Sequence, residues 1–444
     1  MKVLLVRPKF STPSPRKYPP FNLITLAPYF NTDVDICDLQ TNTMLHHFLQ
    51  HDTDIVGFTG FSDQLKEINS LAQNVRNKSH AKIIVGGPAV TASPEYALQF
   101  LPDVDLLVCG DGEHYATNLS NSIYCPDKIC KSPFYNWENH KTPDWTLIDY
   151  PKYRNFPGAA VETSRGCPRN CVMCSAHLIS GRKWRPRKPE DVVEEIKFVK
   201  ETYGFNLFYF PDDNATVNPK RWVTLMQLIV DADLNIRLHA PEGLEAHYLT
   251  METLLLMKKA GFQHITIGAE SGVQRVLDNV ICKSGLTVEQ IENVVRDSHE
   301  IGLGINCFFI IGTAGETLEE AKETVEFAEK MRGLGAYSCM VRNTIPIPGT
   351  PLFNLAQEKG YLTVPAEKLY DSDFIHSGQH LMQTPEWTPR QIELLVQKSQ
   401  KQDAQHILKH QKKHLLKKGI ARLFHNPKTV GSRLKQLVGQ AWKK

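Results

Sequence analysis

Short apolar runs alternate with segments of helical periodicity along most of this chain. In the first third the apolar runs are Lys2–Val6, Val34–Leu39, Asp54–Gly60, Lys82–Gly87 and Asp105–Gly110, each running into Gly, Pro or polar residues. That alternation predicts a parallel, doubly wound sheet. Ligands of such sheets sit at the carboxyl ends of the strands. Three of those ends are rich in glycine: Gly57–Gly60, Gly86–Gly87–Pro88 and Gly110–Asp111–Gly112–Glu113. Glycine lets the backbone approach a bulky ligand closely, so three such loops on one sheet point to a binding site.

A second series follows, with strands expected at Ala159–Ser164, Phe205–Phe210, Ile236–Ala240, His264–Ser271, Ile305–Gly312 and Tyr337–Ile345 and helices such as Pro189–Thr202, Val288–His299 and Thr317–Met331 between them. Six β/α units make an incomplete TIM-type barrel with its chemistry at the C-terminal mouth. Cys125–Pro157, rich in Pro, Asn, Asp and aromatic residues, reads as a linker, and beyond Gly360 only helical pattern remains. The expected fold is α/β: a Rossmann-like domain (1–124), a linker (125–157), a partial (β/α)6 barrel (158–360) and a helical C-terminal region (361–444).

A chain of 444 residues exceeds one ordinary core, in keeping with this division. Hydrophobic content of 41% and charged content of 22% are those of a soluble protein. No apolar run reaches the roughly 18 residues that a membrane span needs. The opening MKVLLVRPKF is too short for a secretory signal, so a cytoplasmic location is expected. Ten cysteines without such a signal argue for metal chemistry rather than disulfides. The net charge of +3 is unevenly spread: beyond residue 400 lie 12 Lys/Arg residues and a single acid, Asp403. The body is therefore mildly acidic and the tail basic. Leu434, Leu437, Val438 and Trp442 form a stripe on that tail, which reads as an amphipathic helix able to dock on the body or on an anionic membrane surface.

Directly after the first barrel strand comes SRGCPRNCVMCSAH, with Cys167, Cys171 and Cys174 spaced C-x3-C-x2-C. Three thiolates can bind three irons of a [4Fe–4S] cube and leave the fourth iron open. A zinc site or three unrelated buried cysteines are the alternatives, but zinc usually takes four ligands in two pairs. Among nearby residues His177 would be the candidate fourth ligand.

CPRNCVMC resembles the cluster loop of the radical S-adenosylmethionine (SAM) superfamily, and its combination with the N-terminal sheet resembles the cobalamin-binding branch. Further matching segments are Phe208–Trp222, Ile265–Gly272, Phe308–Thr317 and Ile347–Phe353, with VGGPAVTASPE and CGDGE like the cobalamin-domain loops. The resemblance implies three cofactors: a [4Fe–4S] cluster, S-adenosyl-L-methionine and cobalamin. It places Met173 near adenine, and Asp212 and Asp213 at the amino group of SAM. Glu270 and Ser271 fall by its ribose or carboxylate, with Gly312 and Gly315 beside adenine. Asp212 and Asp213 read equally as caps of the helix that follows, as do Glu270 and Ser271 of theirs, and Glu316 reads as a cap. Thr59, Gly60, Phe61, Ser62 and Gln64 are expected to face the cobalt, and Gly86, Gly87, Pro88, Gly110, Gly112 and Glu113 to surround the nucleotide tail. The D-x-H-x-x-G fingerprint of a cobalt-ligating histidine is absent. A doubly wound domain that only supports the barrel is the alternative reading.

Arg342 interrupts the last barrel strand and is the candidate catalytic or substrate-contacting residue, whereas Cys307 and Cys339 read as small buried hydrophobes. The implied reaction is methyl transfer to an unactivated carbon by way of a 5′-deoxyadenosyl radical and methylcobalamin. A cyclisation or rearrangement without methyl transfer is the second enzyme reading. A nucleic-acid-binding modification protein is the reading from another class, although the tail lacks interleaved aromatics and no stable nucleic-acid partner is expected. A peptide side chain, a lipid, a tetrapyrrole and a natural-product scaffold all suit as substrate. The electron donor would be a flavodoxin or ferredoxin.

Overall fold

The computed structural model describes residues 1–9, 18–41, 43–49, 52–119, 128–137, 140–153, 158–370 and 378–425. The apolar run that opens the chain forms β1 (Lys2–Arg7), whose Val3–Val6 are buried. It is flanked by β2 (Asp33–Asp38) and β3 (Ile55–Thr59), and β4 (Lys82–Gly86), β5 (Leu106–Cys109) and β6 (Ile129–Lys131) follow. All pair in parallel, in the order β2-β1-β3-β4-β5-β6. The chain reverses direction across the sheet at β1 and β3, so a crevice opens at their carboxyl ends, where doubly wound sheets bind ligands.

Strand β6 lies inside the stretch expected to be a linker, and that expectation is corrected. Trp145 packs edge-on against Phe21 at 5.6 Å and beside Phe205 at 4.8 Å, so it joins sheet to barrel. The buried Tyr153 hydroxyl donates to Asp38 at 2.5 Å. Three residues are too few for a strand to show a hydrophobic period, and the aromatic residues are fasteners rather than spacer.

The barrel begins at β7 (Ala159–Ala160). The single strand expected over Ala159–Ser164 is broken, because Ser164–Arg165 forms a separate strand, β8, paired antiparallel with β9 (Arg185–Pro186). That pair closes the base of the long loop carrying the three cysteines. β10 (Leu207–Tyr209) and β11 (Arg237–His239) extend β7 in the order β11-β10-β7. β12 (His264–Glu270), β13 (Gly304–Ile311) and β14 (Ser338–Asn343) make the second half, in the order β12-β13-β14. Parallel bridges Leu238↔Phe262 and Leu244↔Ile267 join the halves. Six parallel strands thus curve into an open barrel. Ile305, Cys307, Phe309 and Ile311 are buried on one face of β13, while Asn306, Phe308 and Ile310 alternate on the lumen face.

The helix Pro389–His425 covers the open edge at β14. Its Asp403 accepts hydrogen bonds from Ser338 Oγ and Cys339 N, both at 2.7 Å. No described helix is long and apolar enough to cross a membrane. The expected amphipathic stripe from Leu434 to Trp442 lies outside the described residues.

Gly110 adopts φ +99°, and a Cβ there would stand 2.3 Å from the Ser132 carbonyl oxygen. Gly110→Ala is expected to cost about 1–3 kcal/mol through backbone strain alone, with more from the clash. Chemical denaturation checks this, and an unchanged midpoint would contradict it.

Candidate active site

The three cysteines lie on the loop between β8 and β9, at the carboxyl end of β7. All three are free thiols: Cys167 and Cys171 are partly buried and Cys174 is exposed. Burial pushes the Cys171 thiol up to about 12, opposed by the nearby Lys283 ammonium. Such a thiol is protonated at neutral pH unless a metal displaces the proton. Among the described residues no group of three His, Cys, Asp or Glu is gathered closely enough to hold a single metal ion. Three separated thiols on one loop suit a cube, whose irons each take one thiolate. The chain therefore fits the cluster.

The surroundings of the loop are polar and mostly paired. Asn214 donates through Nδ2 to Cys167 Sγ at 3.6 Å and to Glu245 Oε1 at 2.6 Å. Glu245 holds Arg169, which follows the first cysteine, through bonds of 2.7 and 2.5 Å. Lys283 donates to Glu270 Oε1 at 2.8 Å and to the Gly268 carbonyl at 2.7 Å. Glu270 itself sits at φ +62° where the register of β12 and β13 shifts. Asn214, Glu245, Arg169 and Lys283 were missed by sequence reasoning. Asn214 follows the PDD triplet directly and was the one within reach of it.

Asp212 and Asp213 divide in role. Asp212 is buried and accepts from Thr163 N at 2.9 Å, Thr163 Oγ1 at 2.6 Å and Ser164 Oγ at 2.6 Å. Burial raises its carboxyl to about 6 despite these bonds. It pins the end of the first barrel segment, which corrects both its expected contact with SAM and its reading as a cap. Asp213 accepts from Gly166 N at 2.9 Å and so touches the cluster loop. The following helix, Pro219–Asp231, is capped by Asn218 instead.

Ser271 is fully buried, lies 2.9 Å from Thr324 Oγ1 and accepts from Val273 N. It is a turn-forming residue, not an open partner for ribose. Gly312 has φ +80°, but a Cβ there would meet the His380 ring at 2.8 Å. The space its missing side chain leaves is taken by the C-terminal region, which corrects the expected closeness to adenine. Met173 packs beside Val276, Val280 and Ile281. Arg342 is exposed, in register with Ile310 on the lumen face, and reaches Met340 Sδ at 3.4 Å.

Glu316 does not cap the helix Leu318–Leu334; Thr317 and Glu320 do. Its Oε2 accepts from Gly312 N at 2.6 Å and Thr313 N at 3.2 Å, while Oε1 is buried with no hydrogen-bond partner among the described residues. Burial raises its carboxyl to about 7. The folded state thus holds the proton more tightly than the unfolded one. The resulting stabilisation is full below the ordinary glutamate value near 4.5 and is lost as pH climbs to about 7, on the order of 3 kcal/mol. Glu316→Gln is expected to flatten that part of the stability–pH curve; urea unfolding at pH values spanning this window reads it.

A cavity of about 930 Å³ lies between the sheet and the barrel. Thr59, Gly60, Phe61, Gln64, Gly87 and Pro88 line it from the sheet side. Ala160, Leu207, Tyr209 and His239 line it from the barrel. A narrower slot of about 210 Å³ runs into the sheet domain past Gly86, Gly110, Gly112 and Glu113, and the two share Asn22, Thr59 and Gly87. A Cβ at Gly86 would meet only the Val108 carbonyl, at 3.6 Å, so that wall stays open. A broad chamber with a narrow appendage fits a flat macrocycle carrying a tail. Gln64 is less available than expected, since it accepts from Phe61 N and donates to the Lys9 carbonyl. Ser62 opens the short turn Ser62–Gln64 and is not on either wall.

Residues 161–328 match the profile described as the radical SAM superfamily, and residues 14–120 match the B12-binding domain. The chain belongs to the cobalamin-dependent branch of the radical SAM superfamily. Its cofactors are a [4Fe–4S] cluster, SAM and cobalamin. A curated relative, the uncharacterized methyltransferase PH0819 of Pyrococcus horikoshii, is 28% identical over 90% of this chain and 91% of its own length. The anaerobic magnesium-protoporphyrin IX monomethyl ester cyclase of Rubrivivax gelatinosus is 26% identical over 74% of this chain and 65% of its own. The solved structure of the radical SAM methyltransferase TsrM from Kitasatospora setae, with tryptophan and a SAM analog, superposes with a TM-score of 0.68 at 19% identity. That match covers 82% of this chain and 77% of TsrM, and it shows the shared fold.

One further feature of this cobalamin-dependent radical SAM protein joins its two domains. Arg165, on β8, reaches Glu113 of the sheet domain at 2.6 Å and Glu162 at 2.7 Å, and lies over Trp137 at 4.9 Å. Arg185, on β9, bonds Asp111 at 2.6 Å. Glu113, expected beside the nucleotide tail, lines the slot but is engaged by Arg165; burial raises its carboxyl and Arg165 opposes that rise.

Proposed function

We propose that this enzyme transfers a methyl group to an unactivated carbon held in the large cavity. The observation that carries the reading is the continuity of that cavity. It runs from the strand-end loops of the sheet to Pro211 and Glu242, at barrel strand ends beside Asp213, whose carboxylate ties down the cluster loop.

Cys167, Cys171 and Cys174 would hold the cube and leave one iron for SAM. When bound, the cluster supplies one-electron chemistry on SAM and cobalamin carries the methyl group. The chain's own work is positioning. Lys283 orients Glu270 towards the cluster side, and Asp213 fixes the loop backbone at Gly166. Met173 would offer an apolar surface to adenine. Thr59, Gly60, Phe61, Gly87 and Pro88 would bear on the macrocycle, and Gly86, Gly110 and Gly112 on its tail. Arg342, on the lumen face of β14, would contact substrate. Closing sheet on barrel keeps water from the reacting carbon.

The resemblance to a cyclase keeps cyclisation as the second reading. Incubation with deuteromethyl-SAM, a low-potential reductant and candidate substrates tells them apart. A labelled methyl group in the product alongside 5′-deoxyadenosine supports methyl transfer. A product that has lost hydrogens without gaining the label supports cyclisation.

A further inference from the structure

The wall of the large cavity carries five arginines and carboxylates: Arg7, Glu162, Glu195, Arg237 and Glu242. Three are neutralised by neighbours. Arg7 bonds Asp38 at 2.6 Å, Glu162 bonds Arg165 at 2.7 Å, and Glu195 bonds Arg187 at 2.7 Å. Arg237 and Glu242 form no ion pair among the described residues, and they stand at opposite ends. Arg237 begins β11, next to Gln263 and His264 at the start of β12, at the barrel floor. Glu242 follows the end of β11, at the mouth.

Between these ends the wall is largely apolar. Leu207 is in register with Arg237, and Tyr209 with both His239 and Ala160, so these side chains share the lumen face. Arg237, Gln263 and His264 are exposed at this end of the passage, and a guanidinium there can take a carboxylate or phosphate, because its planar fork matches either group. Gln263 and His264 can add hydrogen bonds to the same anion.

We propose that Arg237 anchors the anionic head group of an amphiphilic substrate, a carboxylate or a phosphate, whose apolar body lies along Leu207, Tyr209 and Ala160. The head at the floor then directs the other end of the molecule to the mouth, where the chemistry proposed above takes place. The inference rests on that reading for the reaction, but not for the binding.

The test is calorimetric titration of the anaerobically reconstituted holoenzyme with octanoate, octyl phosphate and the neutral isostere octanamide. Octanoate or octyl phosphate is expected to bind at least about tenfold more tightly than octanamide, because a hydrogen bond to a charged group is stronger than one between neutral groups. The preferred anion identifies the head group. Arg237→Gln is expected to erase the preference and Arg237→Lys to retain part of it, since lysine keeps the charge but not the fork, with iron and cobalamin content unchanged in both. Equal binding of anions and amide, no binding of either anion, or a preference that survives Arg237→Gln would overturn the proposal. Wild-type protein that takes up no cobalamin would defeat the reaction reading while leaving the anion site to stand or fall on the titration.

Discussion

Cys171→Ala is expected to leave a folded protein that cannot retain its cluster and does not cleave SAM. Cys171 is the middle cysteine of the loop, and its backbone carbonyl also accepts from Cys174 N at 3.2 Å. Alanine keeps that backbone bond, and the neighbouring Val172 stays tied to Ile281 and Leu352 through its own N–H and carbonyl. Only the thiolate is lost. A cube held by two thiolates is exposed to solvent and loses iron. The visible absorption of the cluster and the yield of 5′-deoxyadenosine under reduction should both fall to background, while far-ultraviolet circular dichroism stays that of the parent. Retained cleavage of SAM would remove the loop from the chemistry.

The second large effect is on stability. Arg165 is the cation against which Glu113, Glu162 and, at 3.7 Å, Asp111 are buried. Arg165→Met would keep the packing over Trp137 but leave Glu113 and Glu162 without this partner, while Asp111 keeps Arg185 at 2.6 Å. Removing one member of a buried pair costs about 3–5 kcal/mol. Because Asp111 and Glu113 belong to the sheet and Arg165 to the barrel, the loss should appear as easier separation of the two domains. Limited proteolysis and thermal unfolding would both report it. Arg165→Lys should recover part of the loss, since it restores charge but not the bidentate fork. A midpoint unchanged in Arg165→Met would show that the network does not hold the domains together.

What could be read in the sequence was local. KVLLV and its successors carry their own strand signal, and C-x3-C-x2-C is complete within eight residues, so sheet, barrel and cluster loop were legible. What depends on distant partners was not. Asp212 looks like an open carboxylate until Thr163, 49 residues earlier, is seen to bond it. Gly312 looks like room for a ligand until His380 is found beside it. The role of Arg165 needs Glu113, and that of β6 needs β5, neither of which any period reveals. Arg237 gave no signal at all. Its meaning comes from the neutralisation of the other charges on the cavity wall.

On the function proposed above, one chain holds an iron–sulfur cube and a cobalamin on facing surfaces of a shared cavity. Anaerobic reconstitution followed by metal, sulfide and cobalamin quantification tests it most directly. About four irons and an equal amount of sulfide per chain are expected, with one tightly held cobalamin. Protein that retains zinc in place of iron, or that binds the cluster but lets cobalamin pass through a desalting column, would contradict it.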